Sequence, residues 1–263
     1  MRRPVLCGLV LGSALAAPAA AGERLILLGG GPRSPEALGR LVHWAGADGA
    51  RLLVVAWASA DPDQAYRSLR EELALYRPGS VDPAPSALAT EADRARFSTQ
   101  LAAATAVFFT GGDQRRLMDV VEQGRVGDAL RRRYAEGVVF AGTSAGTAVM
   151  SALAITADRD RRVMDDRSAE VRRGLGILPG VILDQHFVQR QRQNRLFGLV
   201  LAHPDLLGVG VDEGTALAVR DNRHAEVLGA SKVTVVDAQA RGDLLLHLLQ
   251  PGDSFDLLER RRP

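Results

Sequence analysis

Ser144 lies at the centre of Gly142-Thr143-Ser144-Ala145-Gly146, between an apolar run from Val138 to Ala141 and an apolar segment from Thr147 to Leu153. A strand that runs straight into a helix through one sharp turn lifts the middle side chain above the strand's carboxyl end. It also holds that residue in a strained backbone, and glycines two before and two after relieve the crowding. The helix that follows turns free N–H groups toward the serine, so charge developing on an attacked carbonyl oxygen meets ready donors. That geometry suits acyl transfer. The pentapeptide by itself recurs by chance in plain strand-to-helix turns, so its surroundings decide.

A serine nucleophile needs a base, and the five histidines are His43, His186, His203, His224 and His247. His43 falls in the middle of a helical pattern, His203 before a helix-ending proline, His224 beside a turn and His247 in a peripheral strand. Only His186 emerges from the carboxyl end of a predicted core strand, and so it pairs with Ser144 at one sheet edge. Cys7 is the only cysteine and lies in a segment read below as a leader. A cysteine nucleophile and a cysteine-ligated metal are therefore both excluded, and no cofactor or metal is expected.

The elements around these residues read as α/β. Leu25–Leu28 is a buried strand ending in Gly29-Gly30-Gly31, followed by Ser34-Pro35-Glu36 as a cap and first helical turn. Leu38, Leu41, Val42 and Ala45 continue at helical spacing. Arg51–Ser59 is a second strand, Asp61–Tyr76 a second helix and Thr105–Thr110 a third strand closing in Gly111-Gly112. Helices over Arg116–Glu122 and up to Tyr134 lead into the strand before Ser144. Four β-then-α units in series imply a mainly parallel, doubly wound sheet in a three-layer α/β/α sandwich, with the glycine loops and the elbow at the carboxyl edge.

The proline-rich stretch Arg77–Thr90 reads as a surface loop, and Thr156–Arg173, dense in both charges, as another. Leu178–Leu183 is a strand leading to Asp184-Gln185-His186, followed by a helix over Gln189–Ala202. From Leu207 onward short strands alternate with turns, a small antiparallel ribbon. No repeat and no second domain are evident, and 263 residues with 46% hydrophobic content suffice for one large core.

Met1-Arg2-Arg3, an apolar run from Pro4 to Ala17 and the small residues up to Gly22 read as a signal peptide over residues 1–21, with a single domain over 22–263. Arg2-Arg3 adds only weak evidence for twin-arginine export. The expected location is the periplasm or the exterior, with no membrane contact after cleavage. Loss of Arg2 and Arg3 takes the formal charge from +2 to 0. Basic residues are almost all arginine, Lys232 being the sole lysine, with no aromatic-interleaved basic stripe, so nucleic acid is excluded as a partner. A homodimer is allowed by the sequence but not required.

Six blocks, in order along nearly the whole mature chain, resemble the cyanophycinases, serine exopeptidases related to the aspartyl dipeptidases of the peptidase E type. They are Gly29-Gly30-Gly31, Thr110–Gln114, Gly142–Gly146, Gly174–Gly180, Asp184-Gln185-His186-Phe187 and Val211–Ala216. The resemblance implies Ser144 as nucleophile and His186 as general base and later acid, with backbone N–H groups of Gly112 and Ala145 as oxyanion hole. It implies that Gln114, Asp184, Gln185, Arg190, Arg192 and Arg195 bind a peptide or polymer substrate. Cyanophycin presents free carboxylates and guanidinium groups; an arginine fork suits the first, and Asp184 is expected to answer the second. At ideal helical spacing Arg190 points away from Arg192, so a regular helix does not gather all three arginines.

For the third triad member the resemblance implies an acid in the loop after the elbow helix. That loop reads Asp158-Arg159-Asp160-Arg161-Arg162, and Asp160 is expected there ahead of Asp158, with Asp212 and Glu213 as outside options. The expected activity is release of β-Asp-Arg dipeptides from cyanophycin through an acyl-enzyme. An exported aspartyl dipeptidase and a non-catalytic peptide binder are the alternatives. An α/β-hydrolase esterase is discounted, because His186 lies only 42 residues after Ser144, too few for the strands and cap of that fold.

Overall fold

The computed structural model describes residues 22–160 and 162–263; the leader predicted over 1–21 lies outside the described residues. The first half runs β1 (Arg24–Leu28), α1 (Pro35–Trp44), β2 (Arg51–Val55), α2 (Pro62–Ala74), β3 (Ser80–Pro83), α3 (Glu91–Ala103), β4 (Ala106–Phe109), α4 (Gln114–Gly124), α5 (Gly127–Ala135) and β5 (Val139–Thr143). Then come α6 (Ala145–Ala148), β6 (Leu153–Asp158), β7 (Ala169–Arg173), β8 (Val181–Gln185), α7 (Gln193–Ala202), β9 (Leu207–Val211), β10 (Thr215–Arg220), β11 (His224–Gly229), β12 (Val233–Ala238), β13 (Leu244–Leu249) and β14 (Ser254–Asp256).

The main sheet has the order β14-β11-β10-β1-β5-β4-β2-β3, parallel from β1 to β3 and antiparallel where β10 joins β1. Its central strands β1, β2, β4 and β5 are largely buried runs because both faces are covered. Alternation along each strand sorts the core: Leu25, Leu27, Leu53, Val55, Val107 and Phe109 join one buried cluster, and Ile26, Leu28, Leu52, Val54, Ala106 and Phe108 the other. Helix starts follow their caps. Ser34 accepts from the Ala37 N–H and Asp61 from the Gln64 N–H, each just before a proline at the first helical position. Thr90 and Asp93 form a reciprocal capping box on α3.

Four departures from the sequence reading bear on the site. β8 and β9 do not extend the main sheet; they pair in parallel in a separate sheet, β13-β12-β9-β8. The stretch expected as a loop over Thr156–Arg173 folds into the β6–β7 hairpin, its end strands zipped by backbone bonds that composition does not reveal. The proline-rich stretch carries β3 as an edge strand, where a proline lacking its N–H is tolerated. The elbow helix α6 is a single turn, and α7 begins only at Gln193, the chain turning back on itself over 187–191. No helix among the described residues is long and apolar enough to cross a membrane.

Candidate active site

The elbow is fixed by backbone. β5 lies between β1 and β4, and its end is tied across to β1 by the Ser144 N–H donating to the Leu28 carbonyl at 3.1 Å. Ser144 adopts φ 52° and ψ −112°, conformational strain that the surrounding sheet must enforce. The glycine pair is a packing requirement: a Cβ on Gly146 would stand 2.1 Å from the Phe109 carbonyl oxygen, and one on Gly142 2.3 Å from that of Gly146. Buried Thr147 places its hydroxyl 2.7 Å from the Leu28 carbonyl and 2.8 Å from that of Gly142, pinning the turn to both strands.

His186 arrives from the other sheet. Its N–H donates to the Gly29 carbonyl at 2.7 Å, and it too has a positive φ, 48°. Gly30, at φ +100°, lets the ring in: a Cβ there would lie 2.3 Å from Nε2. His186 Nε2 lies 2.9 Å from Ser144 Oγ, and Nδ1 lies 2.5 Å from Glu213 Oε1. Glu213 thus occupies the place of the acid that fixes the base's tautomer and orientation. Parallel pairing explains the meeting: Gln185 and Val211 are in register, so the residues just past β8 and β9 leave the same edge side by side.

Asp160, the acid expected from sequence, does not fill this role. It is partly exposed, receives bonds from the backbone N–H and guanidinium of Arg162, and its pKa is held down to about 2 chiefly by that hydrogen-bonded arginine. Its carboxylate is engaged by Arg162, and His186 Nδ1 is taken by Glu213. The signal available in sequence was Val211-Asp-Glu-Gly after a strand consecutive with the one before His186; consecutive strands pair in most folds.

Burial pulls the His186 pKa below its ordinary value, the Arg190 and Arg192 charges pull it the same way, and Glu213 opposes them. The ring is thereby held neutral and able to accept the serine proton at neutral pH. Ala145 opens α6, so its N–H has no partner inside the helix, and the Gly111-Gly112 loop packs so closely that a Cβ on Gly111 would be 3.3 Å from Ser144 Cβ.

The predicted substrate residues divide. Asp184 is fully buried and receives Arg195 through Nε at 2.7 Å and through Nη2, while Arg195, itself 3% exposed, also donates to Asp158 at 2.7 Å. These two form a buried brace between β8, α7 and β6 rather than a surface for substrate, a correction that follows from their mutual neutralisation. Gln185, also buried, accepts from Arg192 Nη1 through its side chain. Gln114 donates to the Ile155 and Thr156 carbonyls, tethering the hairpin. Arg190 stands exposed in the turn beside His186, and no side-chain bond is formed by its guanidinium among the described residues. Arg192, capping α7, has a buried Nε with no partner, and burial pushes it down to about 10, still charged at neutral pH. The turn over 187–191 places Arg190 outside α7, so the three arginines do not share one helical face. Among the described residues, no cluster of His, Cys, Asp or Glu is placed to hold a metal.

A serine on a strained elbow, a histidine within hydrogen-bond reach and a carboxylate behind it define a serine-type hydrolase on a three-layer α/β fold. Residues 25–227 match the profile of Peptidase family S51. The chain is 33% identical to a cyanophycinase of Nostoc sp. over 82% of its own length and 78% of the relative's, and 32% identical to one of Geminocystis herdmanii over 84% and 88%. In fold it resembles a peptidase from an acI-B1 actinobacterium, with TM-score 0.68 at 21% identity over 90% of this chain and 98% of that one. A putative peptidase E protein of Listeria monocytogenes aligns with TM-score 0.55 at 12% identity, over 88% and 100%. The chain belongs to the S51 peptidases and is a serine-type peptidase of the cyanophycinase kind.

Proposed function

We propose that the mature chain is an exported exopeptidase that hydrolyses cyanophycin, multi-L-arginyl-poly-L-aspartate, to β-Asp-Arg dipeptides through an acyl-enzyme. The continuous Ser144–His186–Glu213 contact carries the reading: 2.9 Å from hydroxyl to base and 2.5 Å from base to acid. Ser144 Oγ attacks the scissile carbonyl as His186 Nε2 takes its proton, Glu213 steadies the resulting imidazolium, and the Ala145 and Gly112 N–H groups receive the oxyanion. His186 then protonates the departing nitrogen, and water, activated by the same base, releases the acyl group. The relatives' name supports the polymer as substrate. Arg190 and Arg192, cationic beside the triad, suit its carboxylates. Export is supported by the charged, then apolar, then small-residue pattern of residues 1–21.

The purified protein is expected to clear a cyanophycin suspension and release dipeptide, and Ser144→Ala to do neither. Cleavage of free Asp-X dipeptides without clearing would point to an aspartyl dipeptidase. Retained clearing by Ser144→Ala would sink the mechanism.

A further inference from the structure

A second feature of the site lies beside Ser144, lined by residues that follow β1 and by α2 rather than by the turn that carries Arg190. A cavity of about 230 Å³ is walled by Arg33, Ser68, Thr110, Gly111, Thr143 and Ser144, with Gly30 behind it. That is below the roughly 300–1,000 Å³ of sites that swallow whole small-molecule ligands, and it is a size for one residue of a peptide. Arg33 is the only charged residue in the wall among the described residues.

Arg33 is locked in place. Nε donates to Glu72 Oε2 at 2.8 Å, and Nη2 to Glu72 Oε1 at 2.5 Å and to Ser68 Oγ at 2.9 Å. Ala65, Ser68 and Glu72 share one face of α2, three and four residues apart, so this helix presents its whole grip to the guanidinium. The arginine side chain is 18% exposed and Glu72 37%, with the carboxylate outermost and spent on the arginine. Nη1 keeps no partner among the described residues, and its bidentate hold on Glu72 costs the fork no freedom when a further acceptor arrives. An independent observation points the same way. The Thr110 hydroxyl, in the same wall, is buried with no hydrogen-bond partner, and such groups are rare unless something is meant to meet them.

We infer that Arg33, held by Glu72 and Ser68, binds the terminal α-carboxylate of the leaving residue, with Thr110 as second donor. The inference rests on the peptidase reading above and adds to it what makes the enzyme act from the end of its substrate. Gly30 ties the cavity to the leaving side, since it packs on His186 Nε2, the atom that must protonate the departing nitrogen. A small cavity with one fixed cation in its wall favours a terminal carboxylate over the uncharged amide of a chain that continues.

The test uses the two-unit oligomer of β-Asp-Arg with its terminal α-carboxyl free, and the same oligomer with that carboxyl amidated. Wild type is expected to prefer the acid by on the order of 10- to 100-fold in kcat/KM, the worth of one charge-assisted hydrogen bond. Arg33→Gln should cut the acid rate to that of the amide while sparing the amide rate, Arg33→Lys should restore part of the preference, and Thr110→Val should lose a smaller part of it. A preference that survives in Arg33→Gln, or wild type cleaving acid and amide equally, overturns the inference while leaving the peptidase reading intact. Wild type cleaving neither oligomer, although a fluorophosphonate labels Ser144, removes the substrate reading and this inference with it. If Arg33→Gln fails to fold, Thr110→Val and Arg33→Lys decide by the same ratio.

Discussion

Ser144 and His186 touch, yet they hang from different sheets, and the two supports are built from different chemistry. On the nucleophile side everything that fixes geometry is backbone or a neutral hydroxyl: the Ser144 N–H on Leu28, Thr147 on Leu28 and Gly142, and glycines that allow strands to close within carbonyl contact. On the base side the support is ionic. Asp184 and Arg195 brace β8 from within the core, and buried Asp212 accepts from Ser231 Oγ at 2.9 Å and from the Val188 N–H at 3.2 Å, holding the turn that carries Arg190. Backbone closure gives a rigid elbow that tolerates almost no substitution. Buried charges give a precise register at the cost of a penalty whenever one partner is lost.

The sharpest way to break this comparison is at the acid. Glu213→Gln keeps the size of the side chain but loses the charge that orients His186, and kcat should fall about 10³- to 10⁴-fold, as expected when a triad acid becomes an amide. Asp160→Asn, on an exposed hairpin turn, should leave kcat within about twofold of wild type, as surface substitutions usually do. Cyanophycin hydrolysis by both variants, side by side, measures it. The reverse ranking would return the role of acid to the loop after the elbow.

Stability separates the two supports next. Asp184→Asn leaves Arg195 with only Asp158 for its charge and should cost about 3–5 kcal/mol, the usual result of stripping one partner from a buried ion pair. Thr147→Val on the elbow side removes one neutral hydroxyl donor, while the Leu28 carbonyl keeps the Ser144 N–H, and should cost about 0.5–1.5 kcal/mol, the net worth of a hydrogen bond. Denaturant midpoints of the two variants check the order. Equal losses would mean that the ionic brace contributes nothing beyond a hydrogen bond.

The same contrast explains what the sequence could reveal. The elbow was legible because its requirements are local: a continuous apolar run, glycines at fixed offsets and a serine between them all sit within a few residues. His186 was legible because a polar triplet follows an apolar strand. Glu213 was only an outside option, since its contact with His186, 27 residues away, depends on β8 and β9 lying side by side in a sheet of their own, which no local pattern encodes. Asp184 and Arg195 carried charges that read as ligand-binding, and only their mutual burial shows them as a brace. Arg190 and Arg192 needed the turn over 187–191, which composition alone presents as helix.

The smallest expected effect is the most diagnostic of how the base is set. Burial lowers the His186 pKa most, Arg190 and Arg192 lower it further, and Glu213 raises it. The acid limb of kcat/KM reports this group in the free enzyme, so it should lie below the ordinary histidine value of about 6.5. Removing a nearby positive charge favours the imidazolium, so Arg190→Gln should move the acid limb to higher pH. Because Arg190 is exposed, added salt should move the wild-type limb the same way and the variant's less. A limb unmoved by either change would mean that the exposed arginine is too well screened to act on the base, leaving burial against Gly30 as what holds His186 neutral. Any effect of Arg190→Gln on turnover would then be read as lost substrate contact, separable because it scales the whole profile without displacing it.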